Sequence, residues 1–273
     1  MGSIRLTDLR RYPVKSCRGE QLESAQVEPW GLLGDRRWML IDPIGEVVTA
    51  REVNPLVLVT PRLTEQGLRL SAPGMPELEV ARPLTAPLVD VEIWDDRLVA
   101  READQDAAAW LTEVSGRQLR LVYLDDPRRR PVDARYAEPG DVVSFADGYP
   151  LLLAAEESLA QLNDWIAEGR HAADGPLPMT RFRPSLVIRG AAPFAEDAWR
   201  RVRVGEVTFR VVKPCARCVL TTVDPDTARR TKEPLVTLAR RRRFGNKLLF
   251  AMNLIPEAPY GVVRVGDSVE VLA

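Results

Sequence analysis

The spacing of apolar residues over roughly the first ninety positions most constrains what this chain can fold into. The segments IRLTDLRRYPV, SAQVEPW, DRRWMLID, EVVTA, LVLVTPRL, LRLSAP and LEVAR alternate or run apolar over short stretches, with Gly, Pro or Asn between them. Runs of this kind build strands and the breakers between them build turns, so the first part is predicted as a β-rich module.

Helical spacing occurs in few places. EADQDAAAWLTEVSG (102–116) brings Ala107, Trp110, Leu111 and Val114 to one face and stops at Ser-Gly, which predicts the first helix. AEESLAQLNDWIAEG places Leu159, Leu162, Trp165 and Ile166 on one stripe and predicts a second. TARRTKEPLVTLARRRR is helical or irregular, whereas PSLVIRG, VTFRVVK, CVLTTV, KLLFAMNLI and DSVEVLA again read as strand. The expected class is mixed α/β, predominantly β. A boundary near residues 95–105 divides a first domain, residues 1–98, from a second, residues 99–273. Pro-rich DDPRRRPVDARYAEPGD (125–141) reads as a long loop inside the second domain.

Composition narrows the chemistry. With 38 Lys and Arg against 39 Asp and Glu there is no global field to favour nucleic acid or a membrane surface, so any anion site must be local. The N-terminus lacks an apolar signal region, and no stretch approaches the roughly 18 apolar residues of a spanning helix. The expectation is a cytoplasmic protein whose three cysteines, Cys17, Cys215 and Cys218, are free thiols. The single histidine, His171, lies in a polar loop, which leaves no material for a catalytic triad or a multi-histidine metal site. Chemistry must rest on sulfur, carboxylates, basic groups or a cofactor.

KPCARCVLTTVDPDT (213–227) places two cysteines three apart. A structural zinc site wants four ligands, and only Cys17 and His171 remain to complete one. A thioredoxin-like couple wants its cysteines at a helix N-terminus, whereas the β-branched VLTTV that follows is read as strand. Two buried apolar thiols are the bland alternative, against which Lys213 and Arg217 argue for a stabilised thiolate. Asp224 and Asp226 read as turn residues.

The segments YPVKSCRG (12–19), GLLGDRRWMLID (31–42), TRFRPSLVI (180–188), CARCVLTTVDPDT (215–227), KEPLVTL (232–238) and VGDSVEVL (265–272) together resemble the MOSC family. The likeness is to the group with an N-terminal MOSC β-barrel domain, which includes the amidoxime-reducing components. These segments fall in the family's order and span nearly the whole chain. The resemblance implies two domains, an N-terminal barrel-like one and a C-terminal MOSC β-barrel with a few helices. It also implies a molybdenum cofactor, a pyranopterin dithiolene with one protein cysteine on the metal. Cys218 matches that ligand, and Cys215 is its neighbour. Lys15, Ser16, Arg36, Arg183 and Ser185 match positions that hold the pterin and its phosphate, with Asp35 orienting Arg36. The chain departs at Ser185, where eukaryotic relatives carry Asn.

The reaction so implied is reductive dehydroxylation of small N-hydroxylated molecules: amidoximes, hydroxylamines or N-hydroxylated bases. Electrons must come from a separate protein, a ferredoxin, flavodoxin or haem protein, because no four-cysteine iron–sulfur motif is present. The run Arg240–Arg243, with Arg229, Arg230 and Lys247 nearby, could steer an acidic donor or be a solvated helix face. The alternatives are a non-catalytic carrier of molybdenum cofactor or sulfur, and a nucleic-acid-binding protein, against which the balanced charge weighs.

Overall fold

A computed structural model describes residues 3–273. It is mostly strand, with three α-helices among the described residues. The largest sheet takes strands from both ends of the chain. Its order runs Val269–Val271, Arg201–Val204, Val207–Ala216, Lys247–Pro256, Leu151–Ala155, Leu186–Arg189, Arg5–Arg11 and Glu20–Gln21, with the short strand Arg243–Phe244 folded back on Lys247–Pro256. Its neighbours are antiparallel except Leu151–Ala155 and Leu186–Arg189. That parallel pair is joined through a helix, as parallel strands require.

The helix is α2 (Glu156–Ala167). Its buried stripe, Ser158, Leu162 and Ile166, lies in a core with Phe182 and Phe250, and two glutamates in its first turn complement the helix dipole. Helix α1 (Gln105–Ser115) begins later than the predicted 102–116 because Asp104 caps it, accepting from the Ala107 N–H at 2.9 Å. Left-handed Gly116 ends it. Helix α3 (Leu235–Arg241) occupies the second half of the stretch read as helical or irregular.

A four-stranded sheet joins Trp38–Ile41, Arg120–Tyr123, Asp96–Glu102 and Leu88–Ile93, so the chain returns to the first module after α1. Thr60–Leu63, Gly67–Ser71 and Leu78–Ala81 form a further sheet, and Val262–Arg264 pairs with Ser24–Glu28.

Several expected strands differ. LVLVTPRL begins as a 3₁₀ turn, Asn54–Leu58, because Pro55 suits the first turn of a helix, and pairing starts only at Thr60. EVVTA makes only isolated bridges, Glu46 to Glu92 and Val47 to Ile41. VLTTV is also a 3₁₀ turn, Val219–Thr222. The Thr221 and Thr222 hydroxyls donate to the Cys218 and Val219 carbonyls at 2.9 and 2.7 Å, and this local bonding outweighs β-propensity. The strand reading that weighed against a redox couple is thus corrected. No α-helix begins at the cysteines.

Candidate functional site

A cleft forms where turns of the first module meet the edge of the large sheet. Lys15, Ser16, Arg36, Arg183 and Cys218, far apart in the chain, all line it. Ser185 does not. It is fully buried, and it donates its N–H to Leu152 O at 2.8 Å and accepts from Leu152 N at its hydroxyl; Leu152 itself lines the cleft.

Lys15 and Ser16 follow the first strand on a tight turn fixed by the Lys15 N–H to Trp38 O bond of 2.8 Å. Ser16, Arg36 and Arg183 all have positive φ, at 72°, 46° and 56°. Non-glycine residues seldom adopt this conformation, and its clustering on one cleft marks where the fold stores strain at a site. Gly31 permits the approach of the Arg36 segment, since a Cβ there would stand 2.7 Å from Pro150 O at the cleft wall.

Tyr12 is buried beside two of the cleft's arginines. The Arg36 and Arg183 guanidiniums both stack against its ring, each 4.3 Å from the centroid. Fully buried Asp35 accepts from the Tyr12 N–H at 2.7 Å and from Arg36 Nη1 at 2.6 Å, and so fixes that fork. Burial pushes the Asp35 carboxyl up, against the pull of Arg36. Arg183 donates to Cys17 O at 2.7 Å and makes no ion pair with a carboxylate among the described residues; burial lowers its pKa.

At one end, buried Lys15 donates to Phe145 O at 2.9 Å and to Asp147 at 2.5 Å. Burial pushes its ammonium down to about 8, with Asp147 opposing. Burial also works to raise the Asp147 carboxyl, yet Lys15 and Arg51 outweigh it and hold this group well below the usual carboxylate range. With its side chain 65% exposed, Asp147 is not sealed, so the two cations are the cause to rely on. It is the single carboxylate on the wall, against Lys15, Arg36, Arg51, Arg181, Arg183 and Arg217. The cleft is built for an anion.

The other end carries the sulfur. The strand register slips between Pro214 and Ala216, and this irregularity carries Cys215 beside the cleft. Arg217 donates from Nη1 to Cys215 Sγ at 2.9 Å and from Nη2 to Phe182 O at 2.8 Å. Lys213 turns instead toward the Tyr136 and Tyr149 rings in an adjoining groove. Cys218 opens the 3₁₀ turn, and its sulfur makes no hydrogen bond to the described residues. Cys17 is sealed in the core of the first module, its thiol pushed up to about 12 by burial.

Among the described residues no three His, Cys, Asp or Glu side chains converge. A metal at Cys218 therefore needs ligands brought by a cofactor. The donor set fits such a group: a thiol without a hydrogen-bond partner among the described residues, a cationic wall, and the buried Nε atoms of Arg181 and Arg217, which lack acceptors.

Arg51, Asp147 and Arg181 were not singled out from sequence as site residues. Arg181 sits in the TRFRP motif, and its pair with Asp224 at 3.0 Å ties that motif to the VDPDT turn, which Asp224 closes by accepting from the Asp226 and Thr227 N–H groups. Arg51 and Asp147 carry no comparable signal.

The two-module layout and this cleft define a known class. Residues 3–118 match the MOSC N-terminal beta barrel domain and residues 140–270 the MOSC domain. The chain belongs to the MOSC family, in the group that carries both domains. It is 36% identical to mitochondrial amidoxime-reducing component 1 of Mus musculus, over 96% of this chain and 80% of that protein. Against the Homo sapiens protein of the same name it is 34% identical, over 96% and 81%. It is also 31% identical to the molybdenum cofactor sulfurase of Oryza sativa subsp. japonica, over 93% of this chain and 33% of that larger protein.

Proposed function

We propose that this protein is a molybdenum-cofactor-dependent reductase that converts amidoximes, hydroxylamines and N-hydroxylated bases to their dehydroxylated forms. The observation that carries the reading is a thiol with no hydrogen-bond partner among the described residues, Cys218, on the wall of a cationic cleft, in a chain similar to amidoxime-reducing components along nearly its full length. When bound, the cofactor would supply two-electron redox chemistry. Cys218 ligates the metal. Lys15, Ser16 and Arg36 hold the phosphate end of the pterin, and Arg183 steadies its middle from beside Tyr12. Arg217 grips Cys215 and so keeps the second sulfur away from the metal. Ser185 acts only through Leu152. The layout is that of two domains, with the cofactor held between segments of both. A separate electron-carrier protein closes the cycle, and the protein acts in the cytoplasm.

The sulfurase likeness favours a second reading, a carrier of cofactor or sulfur at Cys218. Benzamidoxime turnover with a reduced dye separates the two. Protein made in a host that supplies the cofactor is expected to hold about one molybdenum per chain at full loading. Cys218→Ser loses metal and turnover together, and Cys215→Ser keeps most of both. Equal molybdenum in wild type and Cys218→Ser would sink the ligand assignment, and stoichiometric zinc would sink the whole reading.

A further inference from the structure

We infer that the hairpin Arg243–Phe244/Lys247–Leu248, with the end of α3 beside it, is the docking surface for an acidic electron-carrier protein. The inference rests on the reductase reading for the identity of the cargo, electrons, and on this chain's surface for the place.

Removing the oxygen of an N–OH group as water consumes two electrons and two protons, and among the described residues no three His, Cys, Asp or Glu side chains converge to hold a further metal centre. A protein donor must come close to the thiol end of the cleft. The strand Lys247–Pro256 pairs with the cysteine-bearing strand, with Ala216 opposite Leu249, and the Arg217 N–H donates to Leu248 O at 2.7 Å. The hairpin thus joins the backbone that carries Arg217 directly, through Leu248. Lys247 and Cys215 line the same open groove.

The composition of the tip suits a transient interface. Phe244 is 56% exposed, and Arg240, Arg241, Arg243 and Lys247 around it are all exposed. Only Arg241 meets a carboxylate among the described residues, Glu168 at 3.5 Å. An exposed aromatic residue among exposed basic residues of the same segment is the composition of an interface centre, and unpaired cations steer an acidic partner. A solvated helix face explains Arg240 and Arg241, but not the outward phenylalanine.

The tip is also held in shape. Two-residue Gly245-Asn246 turns it, with Gly245 at φ +61°. Beneath it Arg242 is nearly buried, pairs with Asp197 at 2.5 Å, and lies 5.5 Å from the Phe244 ring and 4.2 Å from Phe194. A surface ordered before contact loses less freedom on binding.

The test pairs Arg240→Glu/Arg243→Glu and Phe244→Ala with the wild-type holoenzyme, using a reduced plant-type [2Fe–2S] ferredoxin as the acidic donor and reduced methyl viologen as a small one. The KM for ferredoxin is expected to rise about tenfold in the charge-reversed variant at low ionic strength, and the difference to shrink near ~0.5 M salt. Dye-driven turnover stays within about twofold of wild type, because neither change reaches the cleft. Calorimetric titration of ferredoxin into each protein gives a reading independent of turnover. Wild type that binds no ferredoxin, variants that bind it equally well, or a patch that prefers RNA to ferredoxin each overturn the docking surface. Absence of dye-driven turnover in wild type overturns the reductase reading instead, and the calorimetry still decides the docking.

Discussion

Cys17 and Cys218 stand on opposite terms with the same cleft. Cys17 is sealed in an apolar cluster with Val14, Trp38 and Leu40, and what it offers the cleft is its carbonyl, which holds Arg183. Cys218 opens a turn whose threonine hydroxyls occupy its carbonyl, and its sulfur stays available on the cleft wall. One residue type therefore serves as packing in one place and as a ligand candidate in the other. Burial makes the difference, since a thiolate must be solvated or paired to form.

Alkylation gives the largest contrast. With its thiol pushed up to about 12, Cys17 is thiolate to roughly one part in ten thousand at pH 8. Iodoacetamide treatment of native cofactor-free protein, followed by peptide mass spectrometry, is expected to label Cys215 and Cys218, and Cys17 only after denaturation. Labelling of Cys17 at the same rate as Cys218 would break the comparison.

The carbonyl role predicts a smaller effect. Arg183→Ala removes a cation that meets a backbone carbonyl rather than a carboxylate, so the loss falls on an incoming anion. Charge-assisted bonds of about 1.5–3 kcal/mol correspond to roughly 10- to 100-fold weaker pyrophosphate binding by calorimetry. Unchanged affinity would mean that Arg183 serves the fold alone.

Lys15 adds a pH dependence with two opposite signs. Its ammonium is depressed from 10.5 to about 8 in the folded protein. Below pH 8 it is charged in both folded and unfolded chains. Between pH 8 and 10.5 the unfolded chain binds more protons, so this group's contribution to stability grows with pH. Pyrophosphate affinity should fall across the same window as the folded site loses its charge. Lys15→Met should flatten both profiles, and an unchanged affinity profile in that variant would show that another group titrates.

The smallest effect is on the packing side. Cys17→Ser places a hydroxyl in the sealed cluster and is expected to cost about 1–3 kcal/mol in urea unfolding, with little change in pyrophosphate affinity. A large loss of anion binding would mean that the Cys17 side chain does more than pack.

Most strands were legible because their apolar residues alternate. Leu151–Ala155 is buried along its whole length and does not alternate, so periodicity missed it. The Val219–Thr222 turn was misread because Thr favours strands in general, while here two hydroxyls close the turn locally. At the site, matched motifs brought Lys15, Ser16, Arg36, Arg183 and Cys218 to attention, and the fold gathers them on one wall. The left-handed backbone of Ser16, Arg36 and Arg183 was invisible, because nothing about Ser or Arg announces positive φ. Ser185 shares a motif with Arg183, but its neighbours in space commit it to the sheet.

The pairing of Arg5–Arg11 with Leu186–Arg189, and of Ser24–Glu28 with Val262–Arg264, sets a timetable for biosynthesis. The opening strands leave the ribosome long before the partners that complete their ladders. Until Leu186–Arg189 emerges, Arg5–Arg11 lacks that side of its ladder, and Cys218 lies still further along the chain. The cleft can therefore take its full shape only late in synthesis, once segments from both ends of the chain are present.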